Sequence, residues 1–173
     1  MKKSCFIFLL VLVSCGAPKV SYDYDKSINF NQFKTYNYYP DMDTGMNQLD
    51  DKRLIRQIDS ILATKGFTQT DTPELLINIK TARFESGSPF TVGLGVGSVG
   101  RRGGVGVSGG VPVGGASLNE EILFDMIDTK RNELIWQGRS EKRVSDATTP
   151  LAREKYFSEV VGKVFEKFPP QKK

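Results

Sequence analysis

Two segments of the chain repeat apolar residues at helical spacing, and each has residues that suit helix ends. The first runs from Asp50 to Lys65 and is followed by Gly66, which suits the position just after a helix. The second begins at Thr149 and Pro150, which suit the N-cap and the first helical position, and it ends at Pro169. Both segments predict helices that bury one face.

Five other segments show the alternation or the composition that is typical of β-strands. They are Val20 to Asp25, Phe33 to Tyr39, Leu75 to Phe84, Leu118 to Asp128 and Leu134 to Val144. In the last of these, Trp136 is predicted to point inward on the face that it shares with Leu134. The order β-β-α-β-(Gly-rich)-β-β-α predicts a two-layer α+β domain with two helices on one face of a mainly antiparallel sheet.

The strand predicted over Phe33 to Tyr39 contains three tyrosines, which allow two interpretations. They could form a platform for a sugar ring. Tyrosines in strands are more often half-buried, with their hydroxyl groups in water. We favour this second interpretation.

Residues 87–117 contain 12 of the 17 glycines, interspersed with valines. Glycine is entropically costly to order, so we predict a mobile excursion outside the core. It is either a flexible loop, which we favour, or a pair of exposed strand edges that bind a partner or a neighbouring copy. Residues 95–100 match the dinucleotide motif GxGxxG but are not followed by a convincing helix, and residues 106–110 match GxSxG in a chain without histidine. Neither match indicates a nucleotide or catalytic site.

The N-terminus has the features of a bacterial lipoprotein leader. Two lysines precede a short apolar run and the motif Leu12-Val13-Ser14-Cys15, which resembles a lipobox at all four positions. The run is shorter than the roughly 20 apolar residues that cross a bilayer. An ordinary signal peptide would need a small residue in place of Leu12. We therefore predict a signal peptide over residues 1–14, cleavage between Ser14 and Cys15, lipidation of Cys15 and a tether over residues 15–19.

Composition narrows the possible functions further. Removal of Lys2 and Lys3 with the leader lowers the Lys and Arg count from 24 to 22, against 20 Asp and Glu, so no basic face for nucleic acid is indicated. Without histidine and without a free cysteine after lipidation, the mature chain lacks the usual general base, thiol nucleophile and zinc ligands. We expect no catalytic residue, no cofactor and no metal. Only carboxylates remain as candidates, such as Asp125 with Asp128 or Glu120 with Glu121, and we interpret them as alternating surface residues of a strand.

Several short stretches, in this order, resemble the DUF4136 family of bacterial lipoproteins. They are residues 22–25, residues 30–36, Lys65-Gly66-Phe67, residues 134–138 and the closing Lys167-Phe168-Pro169-Pro170. The resemblance covers a single domain over residues 20–170, followed by a tail at 171–173. It implies an envelope α+β domain of unknown function and assigns no catalytic residue.

These observations predict a non-enzymatic envelope lipoprotein that binds a partner or supports an assembly. No aspartate follows Cys15, which in enteric bacteria favours the outer membrane, so we expect a palmitate-bearing anchor in that membrane with the domain in the periplasm. A partner could bind through the Gly/Val-rich segment. The alternatives are an accessory subunit of an envelope lipid or transport complex and, last, an enzyme acting on the wall or on lipid.

Overall fold

The computed structural model describes residues 17–86, 90–92, 111–113, 117–144 and 149–170. The leader, its cleavage site, Cys15, both glycine motifs and the tail at 171–173 lie outside the described residues. The strands are β1 (Lys19–Tyr24), β2 (Thr35–Tyr38), β3 (Thr68–Gln69), β4 (Leu75–Ser86), β5 (Phe90–Val92), β6 (Val111–Val113), β7 (Ser117–Asp128) and β8 (Glu133–Arg143). The helices are α1 (Gln48–Thr64) and α2 (Pro150–Phe165), and a short 3-10 turn covers Phe30–Gln32.

Six strands form one mixed sheet in the order β1-β8-β7-β4-β2-β3. The pairs β1/β8, β7/β8 and β4/β7 are antiparallel, whereas β2 runs parallel to both β3 and β4. The parallel pairing of β2 and β4 follows from α1, because a helix between two strands returns the chain to the end where the first strand began. The predicted two-layer α+β class with a mainly antiparallel sheet is confirmed.

The helix ends come from local side-chain chemistry. The Asn47 side chain accepts hydrogen bonds from the backbone N–H groups of Leu49 and Asp50, so α1 begins two residues earlier than predicted. Gly66 has a φ of +81°, which confirms its predicted place after the helix. Thr149 caps α2 by accepting from the N–H of Ala152, as its position before a proline predicted.

The two helices lie side by side with their N-termini at the same end of the sheet. Near that end Arg153 of α2 contacts Asp50 of α1, with 2.8 Å between Nη2 and Oδ2. At the opposite end the rings of Phe67 and Phe168, which follow the two helices, are 5.6 Å apart. Between these two contacts the helices and the covered face of the sheet share one hydrophobic core.

Trp136 is fully buried as predicted, but the reason given for its burial is wrong. Leu134, which was placed on the same face, is 52% exposed. A β-bulge separates them: Met126 pairs with Trp136 and Ile127 with Leu134, so Ile135 is the extra residue on β8. This extra residue changes the alternation of faces, and both Ile135 and Trp136 are buried.

The first strand buries less than its alternation predicted. β1 is an edge strand, and Val20 and Tyr24 are half-buried on the helix side while Tyr22 is 47% exposed. Strand β2 is shorter than predicted, because Phe33 belongs to the end of the 3-10 turn and is buried there.

The Gly/Val-rich segment connects β4 to β7. The last pair of those strands joins Ser86 to Ser117, and within the segment β5 and β6 pair as a separate antiparallel two-stranded sheet. The rest of residues 87–116 lies outside the described residues, so a mobile excursion and its role in binding a partner stay predictions.

Candidate functional site

A group of five charged side chains, three of them buried, joins both helices to the sheet, and we call it the ionic cluster. Its members are Asp50 and Arg53 of α1, Arg83 of β4, Glu120 of β7 and Arg153 of α2. The side chains of Asp50, Glu120 and Arg153 are 6%, 0% and 9% exposed. The cluster therefore sits inside the fold, at the end where both helices begin.

Arg153 is the centre of the cluster. One guanidinium nitrogen, Nη2, lies 2.8 Å from Asp50 Oδ2, and the other, Nη1, lies 3.7 Å from Glu120 Oε2. The guanidinium also packs on two rings of its own helix, with centroid distances of 4.9 Å to Tyr156 and 4.6 Å to Phe157. Stacking on aromatic rings favours a planar arginine over a lysine at this position.

Each carboxylate of the cluster has a second arginine. Arg53 Nη1 lies 2.8 Å from Asp50 Oδ1, and Asn47 donates to Asp50 Oδ2 at 3.0 Å. Arg83 reaches Glu120 Oε1 with both Nε and Nη2 at 2.9 Å. Glu120 Oε2 has no hydrogen-bond partner among the described residues, and Arg153 Nη1 lies 3.7 Å from it.

These contacts set the protonation states of the cluster. Burial raises the pKa of Asp50, but hydrogen bonds from Arg153 and Arg53 outweigh it and hold the pKa below its usual value. Burial likewise lowers the pKa of Arg153, and the contacts with Asp50 and Glu120 more than offset that effect. Burial and the negative charge of Glu120 raise the pKa of Tyr156. Asp50 therefore stays ionised and Tyr156 stays protonated at neutral pH.

The chemistry of the cluster is better suited to holding the helices on the sheet than to proton transfer. A carboxylate held ionised by arginines accepts hydrogen bonds but has no proton to donate as a general acid. Removing one partner of a buried pair leaves an uncompensated charge, which makes such a cluster sensitive to substitution. The geometry thus fixes α1 and α2 against β7 in one arrangement.

The four acids named from the sequence do not form a site together. Glu120 points to the helix side of β7. The next residue, Glu121, lies on the opposite face, where its Oε2 is 3.2 Å from Arg139 Nη1. Asp125 is on that opposite face too and accepts from Gln137 at 2.7 Å. Asp128 accepts the N–H groups of Lys130 and Arg131 in the β7–β8 turn.

The interpretation of these acids as surface residues is therefore wrong for two of them. Glu120 is 1% exposed and Asp128 is 4% exposed. Both occupy core-side positions of β7. Arg83 compensates the charge of Glu120, and backbone N–H groups of the β7–β8 turn donate to Asp128. Glu121 and Asp125 are half-buried on the face without helices.

A second polar group ties β2 to α1. The hydroxyl groups of Tyr36 and Tyr38 both donate to Asp59 Oδ1, at 2.8 Å and 2.6 Å. Burial, followed by the bond to Asp59, raises the pKa of both tyrosines. Tyr36 is only 3% exposed, so the interpretation of its hydroxyl as solvated is wrong, and its ring is not available as a platform for sugar. Tyr38 is half-buried, as the favoured interpretation expects. Its hydroxyl group, however, donates to Asp59 and is not left to water.

Sequence reasoning missed Arg153 and used Asp50 only as the first residue of the predicted helix. A signal for Arg153 was present: it lies three and four residues before Tyr156 and Phe157, which puts a charge on the apolar stripe of α2. A charged residue on a buried stripe requires a partner of opposite sign. The partner is 103 positions away in the chain, and only the fold identifies it.

Two features are absent from the described part of the chain. It contains no group of three or more His, Cys, Asp or Glu residues placed to hold a metal ion. None of its helices is both long enough and apolar enough to span a membrane.

Comparison with known families decides where the chain belongs. The profile of the DUF4136 family, described as a domain of unknown function, matches residues 20–170. The chain belongs to the DUF4136 family. The match covers all the elements of the fold except the first residue of β1, and it confirms the resemblance seen in the sequence. No curated protein shows significant sequence similarity to this DUF4136 chain.

The solved structures with a similar fold include the following two. A PDZ domain protein from Parabacteroides distasonis ATCC 8503 matches with a TM-score of 0.58 and 18% identity, over 91% of this chain. The DUF4136 chain spans only 36% of that protein. The PelC dodecamer from Paraburkholderia phytofirmans matches with a TM-score of 0.52 and 8% identity, over 90% of this chain and 99% of the other. At these identities the similarity establishes the fold alone.

Proposed function

We propose that this DUF4136 protein is an envelope lipoprotein anchored through Cys15, and that its domain is a binding or assembly module and not an enzyme. One observation carries the proposal: the lipobox cysteine stands four residues before Lys19, where β1 begins. The folded domain thus starts directly after the expected lipid attachment site. We place it in the outer membrane, facing the periplasm.

The arrangement of the ionisable groups supports a module without catalysis. Both carboxylates of the ionic cluster are committed to arginines, and Asp59 is committed to two tyrosine hydroxyls. Groups held in such bonds position helices on a sheet and are poor general acids or bases. We therefore assign a catalytic role to none of these groups.

The fold similarity to PelC supports a role in assembly. That structure is described as a dodecamer, and the present chain covers 99% of the PelC chain. A domain of this size and fold can therefore form a large assembly without an added domain. We propose that this protein also acts as part of an assembly, either with copies of itself or with another envelope protein.

Palmitate labelling of cells tests the anchor. Cys15→Ala should abolish labelling and leave unprocessed or soluble protein, because the thiol that receives the lipid is gone. Cys5→Ala is the matched control: it removes the other cysteine of the chain, which lies in the leader, and should leave labelling unchanged. Labelling that survives Cys15→Ala would show that the leader has been misread.

The size of the particle tests the role in assembly. Lipidated protein extracted in mild detergent should migrate as an oligomer or with a captured envelope protein, as measured by light scattering and mass spectrometry. A monomer that retains no protein partner at native expression levels would contradict an assembly role while leaving the anchor intact.

A further inference from the structure

The most exposed large hydrophobic side chains in the described part of the chain are two leucines, both in the first turn of a helix. Leu49 of α1 is 63% exposed and Leu151 of α2 is 76% exposed. Single exposed apolar residues are common on protein surfaces and need no explanation. These two leucines, however, are not scattered over the surface.

Both leucines lie at the same end of the domain. Leu49 directly precedes Asp50, and Leu151 stands two residues before Arg153. Asp50 and Arg153 form an ion pair at 2.8 Å, which brings the first turns of the two helices together. The exposed leucines therefore flank the end at which both helices begin.

The chain enters the domain at this same end. In the β1/β8 pair Lys19 is opposite Glu141, one residue from Lys142. Lys142 is in turn opposite Glu120, the strand residue that faces Arg153. The start of β1 is thus level with the ionic cluster, and Tyr24, opposite Trp136, lies further toward the other end.

The length of the tether limits how far this end can be from a membrane. Lys19 is four positions after Cys15 in the chain. A fully extended chain advances at most about 3.6 Å per residue, so Lys19 stays within roughly 14 Å of a lipidated Cys15. This distance is smaller than the length of either helix, at about 1.5 Å per residue over 17 and 16 residues.

We infer that the end of the domain marked by Lys19, Leu49 and Leu151, which we call the anchor-side end, rests on the lipid surface with both leucines inserted at the boundary between headgroups and acyl chains. The inference rests on the proposed anchor at Cys15. Lipid is what covers the two leucines, because the short tether holds this end of the domain, and not the opposite end, at the bilayer. Exposed apolar side chains add to the membrane attachment that acyl chains supply and orient the domain on the surface.

Depth-dependent quenching tests this orientation in the full lipidated protein. Mature lipidated chain has no free thiol, so single cysteines at Leu49→Cys and Leu151→Cys can carry a nitrobenzoxadiazole label. Leu134→Cys is the matched control, since Leu134 is also an exposed leucine, at 52%, but is the second residue of β8, at the opposite end of the sheet. The three proteins are reconstituted in vesicles of phosphatidylethanolamine and phosphatidylglycerol that contain a doxyl-labelled lipid.

We expect doxyl lipid to quench the labels at positions 49 and 151 several-fold more strongly than the label at position 134. Equal quenching at all three positions, in protein shown by mass spectrometry to be lipidated, would overturn the inference and leave the anchor standing. Labels at 49 and 151 that are shielded from water but not quenched by lipid would also overturn it, because protein would then cover the leucines. Protein that carries no lipid at Cys15 would overturn the anchor and the inference together.

Discussion

Gly138 occupies a position in β8 where no side chain fits. A Cβ atom added there would lie 2.4 Å from Cη2 and 3.0 Å from Cζ3 of Trp136, and 2.6 Å from Cγ1 of Val164. Contacts below 3.0 Å require the neighbours to move. Both neighbours are fully buried, and the indole of Trp136 also packs on Phe165 and Phe168, with centroid distances of 5.9 Å and 5.1 Å.

The cost of Gly138→Ala follows from this packing. Forcing an extra methyl group into a closely packed core costs about 1–3 kcal/mol, and we expect the upper part of that range because an indole and a helix must both shift. For a domain of about 150 residues each kcal/mol lowers the melting temperature by about 2–4 °C. The expected decrease is therefore roughly 4–12 °C.

Urea unfolding followed by the fluorescence of Trp136, the one tryptophan of the chain, measures this cost directly. Gly162→Ala in α2 is the matched control, because an added Cβ there meets nothing within 4 Å. In a helix interior alanine is favoured over glycine by about 0.5–1 kcal/mol, so the control should stabilise the protein. Adding Val164→Ala to Gly138→Ala should recover part of the loss, since it removes one of the two clashing groups.

Gly138→Ala protein that unfolds at the wild-type urea midpoint with an unchanged emission spectrum would refute the predicted clash. That result would mean that the indole and α2 have room that the packing does not show. An equal change in stability for Gly138→Ala and Gly162→Ala would contradict it as well, because of these two glycines only Gly138 has atoms within 4 Å of an added Cβ.

Three further predictions concern the core and the ionic cluster. Trp136→Ala removes a fully buried indole and should cost about 3–5 kcal/mol in thermal unfolding, so an unchanged melting temperature would contradict its burial. Arg153→Met leaves the carboxylates of Asp50 and Glu120 without their shared partner and should cost about 3–5 kcal/mol in urea unfolding. The control variant Arg139→Met breaks the half-exposed pair with Glu121 and should cost less than about 1 kcal/mol. Equal losses in the two variants would refute the role of the cluster. Because the pKa of Asp50 is lowered in the folded protein, its contribution is complete above the unfolded value of about 3.9 and is lost as pH falls through the lower folded value. Urea titrations from pH 7 to pH 3 should thus show wild-type stability falling more steeply below about pH 4 than that of Asp50→Asn, and parallel curves would contradict the shift.

Local patterns in the sequence determined the helices and most strand faces. Thr149 with Pro150, and Gly66 after α1, act through backbone groups a few residues away, so their roles are readable without the fold. The alternation in β4 likewise placed Leu75 and Ile77 in the core, because a strand has a period of two wherever it lies.

Tertiary structure decided which residues meet. Asp50 and Arg153 are 103 positions apart, and neither composition nor periodicity relates one to the other. The bulge that buries Ile135 beside Trp136 arises from the register with β7, which the sequence of β8 alone does not contain. Glu120 was predicted at the surface because isolated acids avoid the interior. It is buried because Arg83 of β4 and Arg153 of α2 both lie close to its carboxylate and compensate its charge.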